Sequence, residues 1–173
     1  SSRFYYQTAG LADVSGTSFT STSDWINMVI IYDSDNGTAG DRKRIFVNGT
    51  EDTPSSEQTL GQNTDSKFNS NSIHYIGARQ DLGGAYFGSY YLAEAHWVDG
   101  QAYDPTYFGK SSGGSWVPID YKTNTGTYGT TGYFLDFAIN DDLGNDVSGN
   151  NNDWGANGMG TDHRTTDTPT NPS

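Results

Sequence analysis

The chain predicts an all-β fold, an antiparallel β-sandwich, on three observations. Residues 25–33 (WINMVIIYD) are a nearly continuous apolar run of strand length. Residues 44–49 (RIFVNG) end on Asn48-Gly49, the strongest short hairpin signal. Residues 86–110 (YFGSYYLAEAHWVDGQAYDPTYFGK) join a glycine-hinged aromatic strand to a tight turn. The composition agrees, with 22 Gly, 12 Tyr, 8 Phe and 4 Trp against 2 Met. Aromatic and β-branched side chains suit a pleated surface and glycine supplies turns, while no window keeps a helical stripe, so little helix is expected.

Taken in order, residues 1–23 are rich in Ser, Thr and Gly, with Phe4, Tyr5, Tyr6 and Phe19 as strand anchors. The run 25–32 reads as a central strand covered on both faces. After a polar loop at 34–41, the segment 43–47 forms the first arm of a hairpin whose third strand starts near Thr50. Residues 53–72 make a long polar loop. Strands follow at 73–78 and 86–98 around Gly83-Gly84; on the second, Leu92, Glu94, His96 and Val98 share one face and Ala93, Ala95 and Trp97 the other. Beyond Lys110, residues 111–114 read as a flexible link and 116–121 and 133–137 as short strands. Residues 126–132 read as a flexible turn. Residues 140–160 are almost wholly Asn, Asp, Gly and Ser, an extended arm pinned by Trp116, Phe134 and Trp154. The end, DTPTNPS, reads as a linker.

There is no Cys, so stability comes from burial and hydrogen bonding rather than disulfides or thiolate metal sites. The net charge of −12, 21 acidic against 9 basic residues, argues against nucleic acid as a partner, because phosphate binding needs Lys and Arg. The longest apolar run, 28–31, is far short of the roughly 20 residues that cross a bilayer, so no membrane insertion is expected.

The succession WINMVIIYD, RKRIFVNG, IHYIGAR and YFGSYYLAEAHWVDG resembles the second half of a laminin-G-like, concanavalin A-like lectin/glucanase domain. In that family a Trp-initiated strand is followed by an Asn-Gly or Asp-Gly hairpin, an Ile-Gly strand end and a Gly-x-(Ile/Leu)-x-Glu-(Val/Ala) strand. Gly88, Leu92, Glu94 and Ala95 approximate that last element with a longer spacing. The continuation DGQAYDPTYFGK, GSWVPIDY, GTYGTTGYFLDF, LGNDVSGNNNDW and DTPTN is similar to proteins of tailed phages, notably marine ones, in which a lectin-like module sits in large structural or fibre polypeptides. The resemblance spans residues 25–171. It implies a jelly-roll sandwich over 1–110 that lacks its N-terminal strands, followed by a Gly/Asn/Asp-rich extension over 111–173. Only about two dozen residues precede Trp25, where the family has several strands, so the sequence is expected to be part of a longer polypeptide.

The function so implied is a non-enzymatic virion structural protein, in a fibre, appendage or capsid decoration at the virion surface. Its partners would be other virion proteins or copies of itself, with host-surface glycans as ligands. Two alternatives stand beside it: a fragment of a polysaccharide depolymerase, and a secreted calcium-dependent adhesin module. Hydrolysis needs two carboxylates at a fixed separation, and the best strand offers only Glu94 with His96. That pair also reads as a hydrogen-bonded couple at a sheet margin. Sugar binding needs an aromatic platform ringed by polar groups, for which Tyr86, Tyr90, Trp97, Tyr103, Glu94 and His96 are candidates; core packing is the competing role for the rings. Ca²⁺ collects oxygens from Asp, Asn and carbonyls. Asp33, Asp35 and Asn36, and Asp142 and Asp146 in the arm, are candidate ligands, with turn formation as the alternative.

Overall fold

The structure is a computed structural model, and it describes residues 3, 5–8, 11–21, 23–54, 59–65, 68, 70, 72–81, 84–124, 126–139 and 141–169. Among these residues the chain is all-β, eleven short strands with one α-helical turn, α1 (Tyr121–Asn124), and three 3-10 turns at Ala39–Asp41, Pro105–Tyr107 and Thr161–His163. All pairings are antiparallel, in sheets of two or three strands.

The largest sheet is the meander of β3 (Met28–Tyr32), β4 (Lys43–Val47) and β5 (Thr50–Asp52), in the order β3-β4-β5. The expected hairpin is present: Asn48 and Gly49 have φ of 48° and 74°, and Val47 pairs with Thr50. Two successive left-handed residues make the tight turn whose twist matches the strands it joins, which favours Asn-Gly. A Cβ on Gly49 would also run into the Trp116 ring, so the turn is packed as well as tight.

The central strand is β4, not the 25–32 segment, which lies at the sheet edge as β3. Both faces of β4 are covered, with Lys43 and Ile45 buried on one and Phe46 on the other. Burying an apolar side chain such as Ile45 or Phe46 contributes roughly 1.5–3 kcal/mol. Arg44 lies over the Phe46 ring at 4.7 Å and makes a two-pronged ion pair with Glu51 across the strands, at 2.8 and 2.7 Å. At the far end of β5, Asp52 accepts from the backbone N–H of Gly16 and from both the N–H and hydroxyl of Thr17, tying the N-terminal segment to the meander.

That segment carries the hairpin β1 (Tyr5–Thr8) and β2 (Leu11–Val14). Phe4 lies outside the described residues. Further on, β6 (Ala78–Asp81) pairs with β7 (Gly84–Phe87). The strand expected at 73–78 therefore begins only at its last residue, and the one expected at 86–98 is broken. It ends at Phe87 and resumes as β8 (Ala95–Trp97). The break has a backbone cause, because Glu94 has φ of 59°, a left-handed conformation no continuous strand contains.

Residues 111–114 are not a flexible link. They belong to a hairpin of β9 (Gly109–Ser112) and β10 (Ser115–Pro118), with Gly113 and Gly114 at φ 60° and 87° forming a turn of the same kind as Asn48-Gly49. Finally β11 (Tyr133–Leu135) pairs with β8, so the 133–135 segment is built into the same sheet as the 95–97 segment.

Candidate functional site

The β8–β11 pair sets His96 opposite Phe134, and the two rings stack at 4.1 Å between centroids, 14° from parallel. Tyr128 lies parallel to both, 6.0 Å from His96 and 6.2 Å from Phe134. Phe108 and Tyr121 close the assembly, stacked on each other at 4.8 Å. Tyr121 presents its edge to His96 at 6.2 Å and to Tyr128 at 5.0 Å. Five rings so arranged exclude water and fix one another's rotamers.

Polar contacts orient the imidazole. His96 Nδ1 is 3.0 Å from the Tyr128 hydroxyl and Nε2 is 3.5 Å from Glu94 Oε2. An ionised carboxylate only accepts, so in a neutral imidazole Nε2 carries the proton toward Glu94 and Nδ1 accepts from Tyr128. Tyr128 keeps its proton, since burial, then the charges of Tyr121, Asp120, Glu94 and Asp146, push its phenol well above the usual range. Burial, followed by the proximity of Tyr103, pushes Tyr121 up to about 12; its hydroxyl donates to the Thr127 carbonyl at 2.5 Å. Glu94 has a side chain 44% exposed against 16% for His96, so the rigid base ends in an accessible carboxylate. Holding a glutamate in the left-handed region costs about 1–2 kcal/mol, which the packing on either side supplies.

A second ring pair adjoins this base. Asp104 accepts from the N–H and hydroxyl of Thr106, which starts the turn Pro105–Tyr107 and holds its own carboxyl below the usual range. That turn sets Tyr107, 41% exposed, beside Tyr103 at 4.5 Å. Tyr103 in turn meets Tyr121 edge-on at 5.9 Å.

The polar segment after β11 braces the assembly. Asp146 is buried and accepts from the N–H groups of Phe134, Ser148 and Asn152 and from the Ser148 hydroxyl. Burial alone would lift its carboxyl, but those four donors outweigh it and hold the group below the usual carboxylate range. Asn150 and Asn152 donate from their amides to the carbonyls of Gly129, Thr130 and Gly132, the loop that carries Tyr128. Trp154 meets Tyr133 edge-on at 5.0 Å.

Of the residues expected to bind sugar, the structure brings Glu94 and His96 into contact and links Tyr103 to them through Tyr121. Trp97 alternates to the other face of β8 and packs near Phe68 at 5.5 Å. Tyr90, 57% exposed, lies against Gly88. Tyr86 is on β7 opposite Arg79, and its side chain lies outside the described residues.

Of the expected calcium ligands, Asp33 accepts from the Asn36 amide, whose oxygen accepts from the Thr38 N–H. A hydrogen bond with Asp33, and its charge, push the Asp35 carboxyl up. Asp142 is exposed, whereas the oxygens of Asp146 are committed to protein donors. Among the described residues no three or more His, Cys, Asp or Glu side chains converge as metal ligands would.

Sequence reasoning missed Phe108, Tyr121, Tyr128 and Phe134 as the frame of the site. The signal for Tyr128 was its place in GTYGTTG, where a large ring among small residues must be seated somewhere. A shallow cleft of about 250 Å³ lies elsewhere, lined by Asp141, Leu143, Ala156, Met159, Gly160 and Thr161, and includes none of the predicted site residues. Comparison with family models, curated proteins and solved structures gives no match.

Proposed function

We propose that the chain is a non-enzymatic structural module of a tailed-phage particle, displayed at the virion surface in a fibre, appendage or capsid decoration. In this reading it folds as a lectin-like, concanavalin A-type jelly roll and binds host-surface glycans. The resemblance over residues 25–171 supports the setting, and the all-β architecture with little helix is compatible with the jelly roll. The observation that carries glycan binding is Glu94, an exposed carboxylate on a strained backbone at the edge of a rigid ring assembly. The face of Tyr107 stacks on pyranose C–H groups while Glu94 accepts from sugar hydroxyls. Glu94 is the carboxylate in hydrogen-bond reach of His96, which favours recognition over the two-carboxylate chemistry of hydrolysis.

The test is binding of the chain to an array of bacterial surface polysaccharides, followed by calorimetry on the strongest binder. Glu94→Gln and Tyr107→Ala should each weaken binding at least about tenfold, roughly 1.4 kcal/mol, with circular dichroism unchanged. Release of reducing ends would replace this reading with the depolymerase. A melting temperature lowered by EDTA would support the calcium-dependent adhesin. Absence of binding to every polysaccharide would remove glycan recognition.

A further inference from the structure

The hairpin β6–β7 is extended outward by one more backbone bond, from Gly88 N–H to the Gly77 carbonyl at 2.7 Å. The two segments that continue from it are unusually apolar on the outside. Ile73 is 80% exposed, Tyr91 72%, Tyr90 57%, Tyr75 47%, Leu92 43% and Ile76 37%. Six large apolar side chains exposed on the two segments that leave one ribbon mark an interaction site. Among the described residues β6 and β7 pair only with each other, so the ribbon also presents open strand edges.

We propose that this ribbon, residues 72–81 with 84–92, is the contact through which two copies of the chain associate about a two-fold axis. Charge selects the partner. Within the ribbon Arg79 offsets Asp81, so the formal −12 falls on the rest of the chain. Two copies of so acidic a protein repel over most of their surfaces, and a basic partner would be drawn to those surfaces rather than to a neutral one. With no net formal charge, the ribbon is where a second copy meets the least repulsion. Area agrees: at roughly 200 Å² for a fully exposed large side chain, the six residues present on the order of 700 Å². A specific interface buries about 800 Å² per partner. The aliphatic members argue for protein over sugar, since Ile73, Ile76 and Leu92 offer hydroxyl groups nothing to bond. A two-fold contact is self-complementary, so one patch serves both copies.

Sedimentation equilibrium of the 173-residue chain tests this. Wild type should give twice the 18.8 kDa chain mass, with association tightening at least about threefold as salt rises from low to moderate concentration, because salt screens the repulsion outside the contact. Ile73→Asp with Tyr91→Asp should give a monomer with unchanged circular dichroism and melting temperature. Tyr91→Lys, a single exposed change, provides the same readout should the double variant fail to fold. A wild-type monomer at every concentration would overturn the proposal. So would a trimer or larger closed assembly, a dimer that persists in folded variants, or a monomer whose Tyr90 and Tyr91 bind an oligosaccharide.

Discussion

In the β3–β5 meander each strand pairs with its neighbour in the chain, and the buried side chains Ile31, Ile45 and Phe46 are placed by strand alternation. Around His96, itself on β8, the packed rings come from the paired strand, a helical turn and two connecting segments, and only Phe134 is placed by strand register. The polar groups differ in the same sense. In the meander Arg44 and Glu51 pair with their side chains partly exposed, whereas the ring assembly depends on a buried carboxylate and two amides that bond to backbone. A sheet can thus be held by a repeating pattern, but a site joined from loops needs individual hydrogen bonds to fix each piece.

The sharpest way to break the comparison is to remove the fully buried ring that touches His96, Tyr103, Phe108 and Tyr128. Tyr121→Ala should cost about 3–5 kcal/mol in urea unfolding, the usual penalty for deleting a buried aromatic. Near-ultraviolet circular dichroism of the variant should fall below that of the wild type under native conditions. If the cost is under about 1 kcal/mol, the rings are filler and the contrast with the meander fails.

Next in size is Asp146→Asn, which keeps the shape but turns an amide N–H₂ toward groups that donate. A loss of about 1–3 kcal/mol at pH 7 is expected. Because the folded carboxyl is held below its unfolded value, its contribution is complete above about pH 4 and is lost as pH falls through the folded value. Wild type and variant should therefore converge in stability as the pH is taken from 7 toward 2, and a constant gap would show that charge is not involved.

The smallest effect belongs to the meander. Glu51→Gln removes a partly exposed ion pair and should change stability by no more than about 1 kcal/mol, less in high salt. A larger loss would mean that the sheet, too, rests on specific polar bonds.

This difference also explains what was legible in the sequence. The β4–β5 hairpin was readable because Asn48-Gly49 encodes its own turn, and β11 because YFL is short and apolar. The break before β8 was not, since nothing in YYLAEAHWV announces a left-handed Glu94. The 140–160 region, read as an arm pinned by aromatic rings, also braces the ring assembly through its own polar side chains. Polarity alone did not show that Asp146 is buried among backbone donors, nor that the Asn150 and Asn152 amides bond to backbone carbonyls of the loop that carries Tyr128. Glu94 and His96 could be picked out as a pair, but not the rings that hold them, because alternation along one strand carries no information about connecting segments distant in the chain.

Among the described residues four of the five sheets join strands that are neighbours along the chain, while β8 must wait for β11, and His96 and Tyr128 are 32 positions apart. Loop-closure entropy weighs on such distant partners before any contact rewards it. Maturation of the glutamate-tipped ring assembly is thus the kinetically demanding step, and a nascent chain can fold most of its hairpins well before that assembly closes.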